Sequence, residues 1–293
     1  LQHELTARII ETVLGFAERS HIPAYDEATH TGIMRHIVVR TGFSTGEIMV
    51  CLVINAQSLP AGKRNIERLI SELRQIPGFK TLLLNVNTEM TNVVMGRRTI
   101  NLYGPGKITE RVGDIAYEIS PLSFFQVNTA QTKKLFDTVV EFAGFTGNER
   151  VLDVYCGAGA ISLYVARRVK EVRGVEAAAE AVRDAISNAT LNGIENARFT
   201  EGLAEEILPG FQETFDTVIL DPPEKGCKPE VIHAAARKNP AKIIYVSCNP
   251  ATLARDMKIF AENGYAAERV QPVDMFPMTA HVETVAALRR SSG

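Results

Sequence analysis

The sequence predicts an α/β protein with a doubly wound, mostly parallel sheet, preceded by a smaller α+β domain. Three observations carry that reading. From about Thr132 onward, short buried-type strands alternate with segments of helical period. A glycine turn ending in Gly157-Ala-Gly159 joins one such strand to the helix after it, as happens at the carboxyl edge of a parallel sheet. Before that stretch, β-branched runs are separated by turn residues and by few helical segments. The texture changes near residues 120–130, which places the expected domains at 1–127 and 128–293.

In the first domain, Leu5 to Arg19 sets Ile9, Ile10, Val13, Leu14 and Phe16 at roughly helical spacing. Strands are expected at His36–Arg40, Glu47–Ile54 and Thr81–Val86, with a helical segment from Arg64 to Gln75 between the last two. The pattern implies an antiparallel sheet. In the second domain, strands are expected at Val151–Tyr155, Val172–Glu176, Phe215–Leu220 and Ile243–Ser247, each followed by a helix.

With 293 residues, 45% of them hydrophobic, the chain can bury a large core, and 23% charged residues are typical of globular proteins. No run of about 18 apolar residues exists to span a membrane, and no secretory signal opens the sequence. The chain begins with Leu1. The four cysteines (Cys51, Cys156, Cys227, Cys248) are widely spaced and lack a C-x-x-C pair. That usage predicts a cytoplasmic protein with no metal site. A net charge of -2 is low for a phosphate-binding surface, and the basic pairs Lys63-Arg64, Arg97-Arg98, Lys133-Lys134 and Arg167-Arg168 read singly as solvated faces.

The first chemistry-bearing motif is Asp153-Val-Tyr-Cys-Gly-Ala-Gly159, leaving a strand and entering a helix. Gly157 and Gly159 allow a tight turn and close ligand approach. A dinucleotide site would want a third glycine, where this chain has Ser162. Asp153 instead stands just before the turn, suiting a cofactor with a cationic amino-acid tail and disfavouring a diphosphate. Glu176 ends the second strand, where a carboxylate can accept from both ribose hydroxyls. This pairing of acids is the S-adenosylmethionine pattern on a Rossmann-like sheet. NAD is the competing cofactor, and Asp153 counts against it.

Two further motifs follow later strands: Asp221-Pro-Pro223 and Ser247-Cys-Asn-Pro250. The prolines fix the backbone, remove N–H donors and leave a carboxylate at the crevice. Cys248, at a strand end between polar neighbours, is placed like a nucleophile. Most lone cysteines are inert buried thiols, the reading preferred for Cys51 and Cys227.

Together these residues resemble the RNA 5-methyluridine (uracil-C5) methyltransferase family. The resemblance covers most of the chain through Ile119-Ser-Pro-Leu-Ser-Phe-Phe-Gln-Val-Asn128, Leu152–Gly159, Asp221–Pro223, Tyr245–Asp256 and Asp274-Met-Phe-Pro-Met-Thr-Ala-His-Val-Glu283. The last of these looks more like the ribosomal RNA branch than the transfer RNA branch, so the resemblance implies 23S ribosomal RNA as partner. It implies that Cys248 attacks carbon 6 of uracil, making carbon 5 nucleophilic, and that Glu283 removes the carbon 5 proton. It implies S-adenosylmethionine binding by Gln126, Tyr155, Glu176 and Asp221. The first domain would face the RNA, whose target uridine must be unpaired or flipped out. Phe124 and Phe125 could stack on bases, with core packing equally open for at least one of them. His281 is expected to position or pack.

Two departures stand against the family pattern. Glu224 follows the prolines where the family usually has arginine, reversing the charge; Lys225 or Arg255 is the expected replacement. Neither the β-barrel domain nor the iron–sulfur cysteines of many members is visible. The expectation is that an RNA-binding domain preceded Leu1, and that this chain binds S-adenosylmethionine normally but RNA weakly. The rivals are transfer RNA as substrate, a nitrogen-directed methyltransferase, and a catalytically silent RNA-binding scaffold. The nitrogen-directed site wants an aromatic residue at Glu224 and has no use for Cys248, and the scaffold needs neither Cys248 nor Glu283.

Overall fold

The computed structural model describes residues 4–291, so the outermost ends of both expected domains lie outside the described residues. Two compact units are present. One holds the chain through Arg111 together with Glu118–Leu122, and the other holds Val112–Tyr117 and everything from Ser123 on.

The first unit is a four-stranded sheet, ordered β1 (Met34–Gly42), β2 (Glu47–Ile54), β3 (Phe79–Val86), β4 (Arg98–Tyr103), with helices α1 (Thr6–Arg19) and α2 (Lys63–Leu73). α1 buries Ile9, Val13, Phe16 and Ala17, a spacing that keeps one stripe against the core. Leu69 and Leu73 do the same for α2. Both stripes meet Ile48, Val50, Leu52 and Ile54, alternate residues on one face of β2. The expected antiparallel sheet is in fact mixed: β1–β2 and β3–β4 are antiparallel, but β2–β3 is parallel. The helix between β2 and β3 explains the difference, because parallel neighbours need a crossover and α2 supplies one.

The chain then forms β5 (Ile108–Val112) and β6 (Ile115–Ile119), a two-stranded ribbon that the sequence reading missed, and enters α3 (Thr129–Ala143). The Asn128 side chain accepts from the Gln131 N–H at the start of α3, and Gly144 ends it in the left-handed region at φ 62.

The second unit is built on seven strands: β7 (Arg150–Val154), β8 (Glu171–Glu176), β9 (Ala197–Glu201), β10 (Thr217–Leu220), β11 (Lys242–Ser247), β12 (Tyr265–Val273) and β13 (Glu283–Arg290). Their spatial order is β12-β13-β11-β10-β7-β8-β9. β11, β10, β7, β8 and β9 are parallel, and β13 is antiparallel to both β11 and β12. α4 (Ala160–Ala166), α5 (Ala179–Leu191), α6 (Ala204–Gly210), α7 (Pro229–Arg237) and α8 (Pro250–Glu262) make the crossovers. The central strands read as continuous apolar runs because helices cover both faces; Val218, Ile219, Leu220, Ile243, Ile244 and Val246 are all fully buried. The strand order reverses between β7 and β10, so their carboxyl ends open a crevice where such sheets bind ligands. Among the described residues no helix is long and apolar enough to cross a membrane.

Candidate active site

β7 delivers Asp153 and then a turn with three positive φ values: Tyr155 at 66, Gly157 at 53 and Gly159 at 80. The two glycines serve different ends. A Cβ on Gly159 would stand 3.1 Å from the Phe199 ring and 3.2 Å from the Ala185 methyl, so that position is set by packing. A Cβ on Gly157 would meet nothing within 4 Å, so its face is open. Tyr155 takes a conformation that side chains rarely adopt, and its half-buried ring packs on the core of the second unit.

Asp153 is 1% exposed. One carboxylate oxygen accepts from the Ser162 hydroxyl at 2.5 Å, while the other is buried without a partner. Burial pushes its pKa up to about 7, more than the Ser162 hydrogen bond lowers it, and the Glu176 charge adds to the rise. Glu176, at the end of β8, accepts from the Gly157 N–H at 3.1 Å and the Ala178 N–H at 2.8 Å, which brackets the glycine turn.

Asp221 follows β10, and its N–H donates to the Val154 carbonyl at 3.3 Å. Burial holds its carboxyl well above the usual carboxylate range, with Glu283 and Asp153 adding repulsion. Cys248 follows β11 and is the one cysteine of the four that is not buried. Burial and then the Glu283 charge raise its thiol, with smaller contributions from Asp221 and Glu224. Glu283 opens β13, directly after the loop that follows β12, and is 5% exposed. Burial alone pushes its pKa up. Asp153, Asp221, Glu283 and Cys248 therefore form a continuous set of electrostatic neighbours drawn from four adjacent strands. The Cys248 thiol is thus an electrostatic neighbour of carboxyls whose own affinity for protons is raised.

Gln126 is half-buried, two residues before the Asn128 cap. The Asn128 amide also donates to the Met275 carbonyl at 3.1 Å, tying this segment to the loop that leads to Glu283. The Phe124–Phe125 pair splits: Phe124 is 76% exposed, while Phe125 is buried against Tyr117 at 5.2 Å between ring centroids. His281 is exposed and edge-on to Phe276. Glu224 is exposed, and Lys225 beside it is too. Arg255 does not offer a free charge in place of the arginine, because its guanidinium grips Asp256 at 2.7 Å. Sequence reasoning missed Ser162 as the partner of Asp153, and the Asn128–Met275 tie. Ser162 was legible only as the residue in place of a glycine; the tie spans too much sequence for any local pattern to show.

A mixed seven-stranded sheet with acids and a cysteine at its strand ends is the architecture of Rossmann-like methyltransferases. A family model described as tRNA (uracil-5-)-methyltransferase matches residues 44–291, and the chain belongs to that family. It is 44% identical over 293 residues to an RNA methyltransferase of Caldanaerobacter subterraneus and 45% identical over 291 residues to one of Halalkalibacterium halodurans. These alignments cover 99% and 98% of this chain but 64% and 63% of the relatives, so the chain spans somewhat under two thirds of their length. Among solved structures, the Pyrococcus abyssi tRNA (uracil-54, C5)-methyltransferase in complex with S-adenosyl-L-homocysteine superposes with a TM-score of 0.80 at 33% identity. That comparison covers 95% of this chain and 66% of the archaeal one.

Proposed function

We propose that this chain transfers a methyl group from S-adenosylmethionine to carbon 5 of a uridine in RNA, with Cys248 as nucleophile and Glu283 as base. The observation that carries the reading is Cys248 itself, the one cysteine not buried, at the end of β11 and within electrostatic reach of Glu283 and Asp221. An inert thiol would be sealed in apolar packing, as Cys51 is.

The residues fit the methyl donor. Asp153 holds a buried oxygen with no partner, which suits a cationic amine. Glu176 lies at the second strand end, where ribose hydroxyls are taken, and Gly157 leaves its face open. Tyr155, Gln126 and Asp221 are assigned to the same cofactor on the family resemblance. When bound, S-adenosylmethionine supplies an electrophilic methyl on a cationic sulfur.

The chain's own residues do the rest. Cys248 gives its proton to a neighbouring carboxylate and its sulfur bonds to carbon 6 of the ring. The electron pair of the 5,6 double bond moves into the ring carbonyl, which makes carbon 5 the nucleophile. Once carbon 5 carries its methyl, Glu283 accepts the carbon 5 proton. The pair left behind restores the double bond and expels the Cys248 sulfur, returning the thiolate. The target nucleotide must leave its stack to reach the crevice. Exposed Phe124 is suited to stacking, and the exposed Arg97 and Arg98 of the first unit are suited to RNA phosphates.

We assign the substrate to 23S ribosomal RNA on the Asp274–Glu283 ending, and the reaction to the cytoplasm on the four free thiols. A transfer RNA uridine is the second reading, favoured by the archaeal neighbour's own substrate. Incubation with labelled S-adenosylmethionine and transcripts of 23S ribosomal RNA or transfer RNA separates them by the RNA that yields 5-methyluridine. Label on a ring nitrogen, or on no nucleoside of either RNA, defeats the proposal.

A further inference from the structure

Two elements carry the chemistry of the second unit's crevice: the loop after β10, with Asp221 and Glu224, and the β11–α8 junction, with Cys248. One cluster joins them. Asp256, on the second turn of α8, is 0% exposed. One of its carboxylate oxygens accepts from the Cys227 backbone N–H at 2.7 Å and from the Tyr245 hydroxyl at 2.6 Å. The other accepts from Arg255 Nε at 2.8 Å and Nη2 at 2.7 Å. The same guanidinium donates to the carbonyls of Lys225, at 2.9 Å, and Cys227, at 3.3 Å. Thr252, one turn earlier on α8, donates its hydroxyl to the Glu224 carbonyl at 3.2 Å. Five consecutive residues of α8's first half thus include three that hold three backbone carbonyls and one N–H of the loop.

Gly226 shows how close the contact is. It has φ +73, and a Cβ there would stand 2.6 Å from both Arg255 Nη2 and Asp256 Oδ2. A buried charged group is costly unless every lone pair is met, and here Asp256 meets a backbone N–H, a hydroxyl and a guanidinium. None of these contacts fills apolar volume. Their common effect is to fix the loop that carries Asp221 against the helix whose first turn follows Cys248.

We propose that Asp256, working through Arg255, is a positioning residue that clamps the Asp221–Lys228 loop to α8 and so holds Asp221 and Glu224 in register with the Cys248 sulfur. The proposal rests on Cys248 as nucleophile for its kinetic consequence, but the clamp itself can be read without RNA. The charges of Glu283 on β13 and of Asp221 and Glu224 on the clamped loop all act to raise the Cys248 thiol. Loosening the loop lets the last two withdraw, so the thiol should ionise at lower pH while Glu283 stays where it is.

The test uses the whole chain and its pH profile of alkylation by iodoacetamide, with Cys248 as the one accessible thiol. Asp256→Asn should move the midpoint for Cys248 downward, and it should also weaken S-adenosylmethionine binding, because Asp221 on the clamped loop is assigned to that cofactor. It should lower kcat by about 100-fold with the RNA KM nearly unchanged, as misplacement of a reacting group by about 1 Å does. Arg255→Met, at a side chain that is 51% exposed, should move the midpoint the same way by less, and it decides the matter if Asp256→Asn does not fold. An unchanged midpoint in a folded variant overturns the clamp whatever happens to kcat. If the unaltered chain methylates no RNA, the functional reading fails instead, and the alkylation comparison still decides the clamp.

Discussion

Each compact unit buries a glutamate, and the two could hardly be treated more differently. Glu110, in the first unit, is 1% exposed and accepts from the backbone N–H groups of Phe43, Ser44 and Arg111 and from the Ser44 hydroxyl. Glu283, in the second, is 5% exposed, and burial is the one influence that moves its pKa. A carboxylate saturated with donors works as a bracket for a turn, because moving it would break several hydrogen bonds at once. A carboxylate stripped of donors is left ready to take a proton. Polar burial in the first unit follows the first pattern elsewhere too: Asn85 and Asn87 anchor the loop before β4 through the carbonyls of Gly96, Val93 and Val94. The strand ends of the second unit mix the two patterns: Glu176 accepts two backbone N–H groups, whereas one Asp153 oxygen is buried without a partner and burial alone moves Glu283.

Replacing the proposed nucleophile should have the largest effect: Cys248→Ala should cut methyl transfer by at least about 10⁴-fold while leaving S-adenosylmethionine binding intact, measured by calorimetry beside turnover. Glu283→Gln should lower kcat by about 10² to 10⁴, the range for a positioned base, and trap the RNA on Cys248 as a band that survives denaturing gels. A wild-type rate in this variant would make Glu283 as structural as Glu110.

Asp153→Asn sharpens the contrast on the cofactor side. Losing a charge-assisted contact should weaken S-adenosylmethionine binding by about 10- to 100-fold. It should also change the response to pH. The folded carboxyl titrates near 7, against about 3.9 when unfolded, so the folded chain holds this proton more tightly. The resulting stability is full below about pH 4 and fades as the pH rises through 7. Thermal melts of the variant over that window should show a shallower loss than those of the unaltered chain. The mildest effect belongs to the first unit: Glu110→Ala leaves buried N–H groups unmet and should cost about 1 to 3 kcal/mol of stability in urea melts, with donor binding unaltered.

The glutamate contrast also marks what the sequence could reveal. The doubly wound sheet was legible because its strands are apolar on both faces and each ends in a turn before a helix, as at Asp153–Gly159. The candidate site residues stood out where a motif packs several into one stretch, as Ser247-Cys-Asn-Pro250 does. The parallel pairing of β2 with β3 was not, although α2 between them implied a crossover. β4, β5, β9 and β12 escaped notice because exposed or alternating residues blur their period; β12, for instance, shows solvent seven residues in a row, from Ala266 to Pro272. β6 and β13 escaped as well, although both are mostly buried. Nor could the sequence separate Glu110 from Glu283, since the difference lies in which N–H groups the fold brings to each.

The proposed chemistry turns on a bond between one sulfur and one ring carbon. A 23S ribosomal RNA transcript carrying 5-fluorouridine leaves Glu283 no proton to take, so release of the ring should stall after methylation. Peptide mapping by mass spectrometry should then find the methylated fluoropyrimidine attached to Cys248, and nothing attached in Cys248→Ser. Formation of 5-methyluridine on ordinary transcript by the Cys248→Ser chain would contradict it.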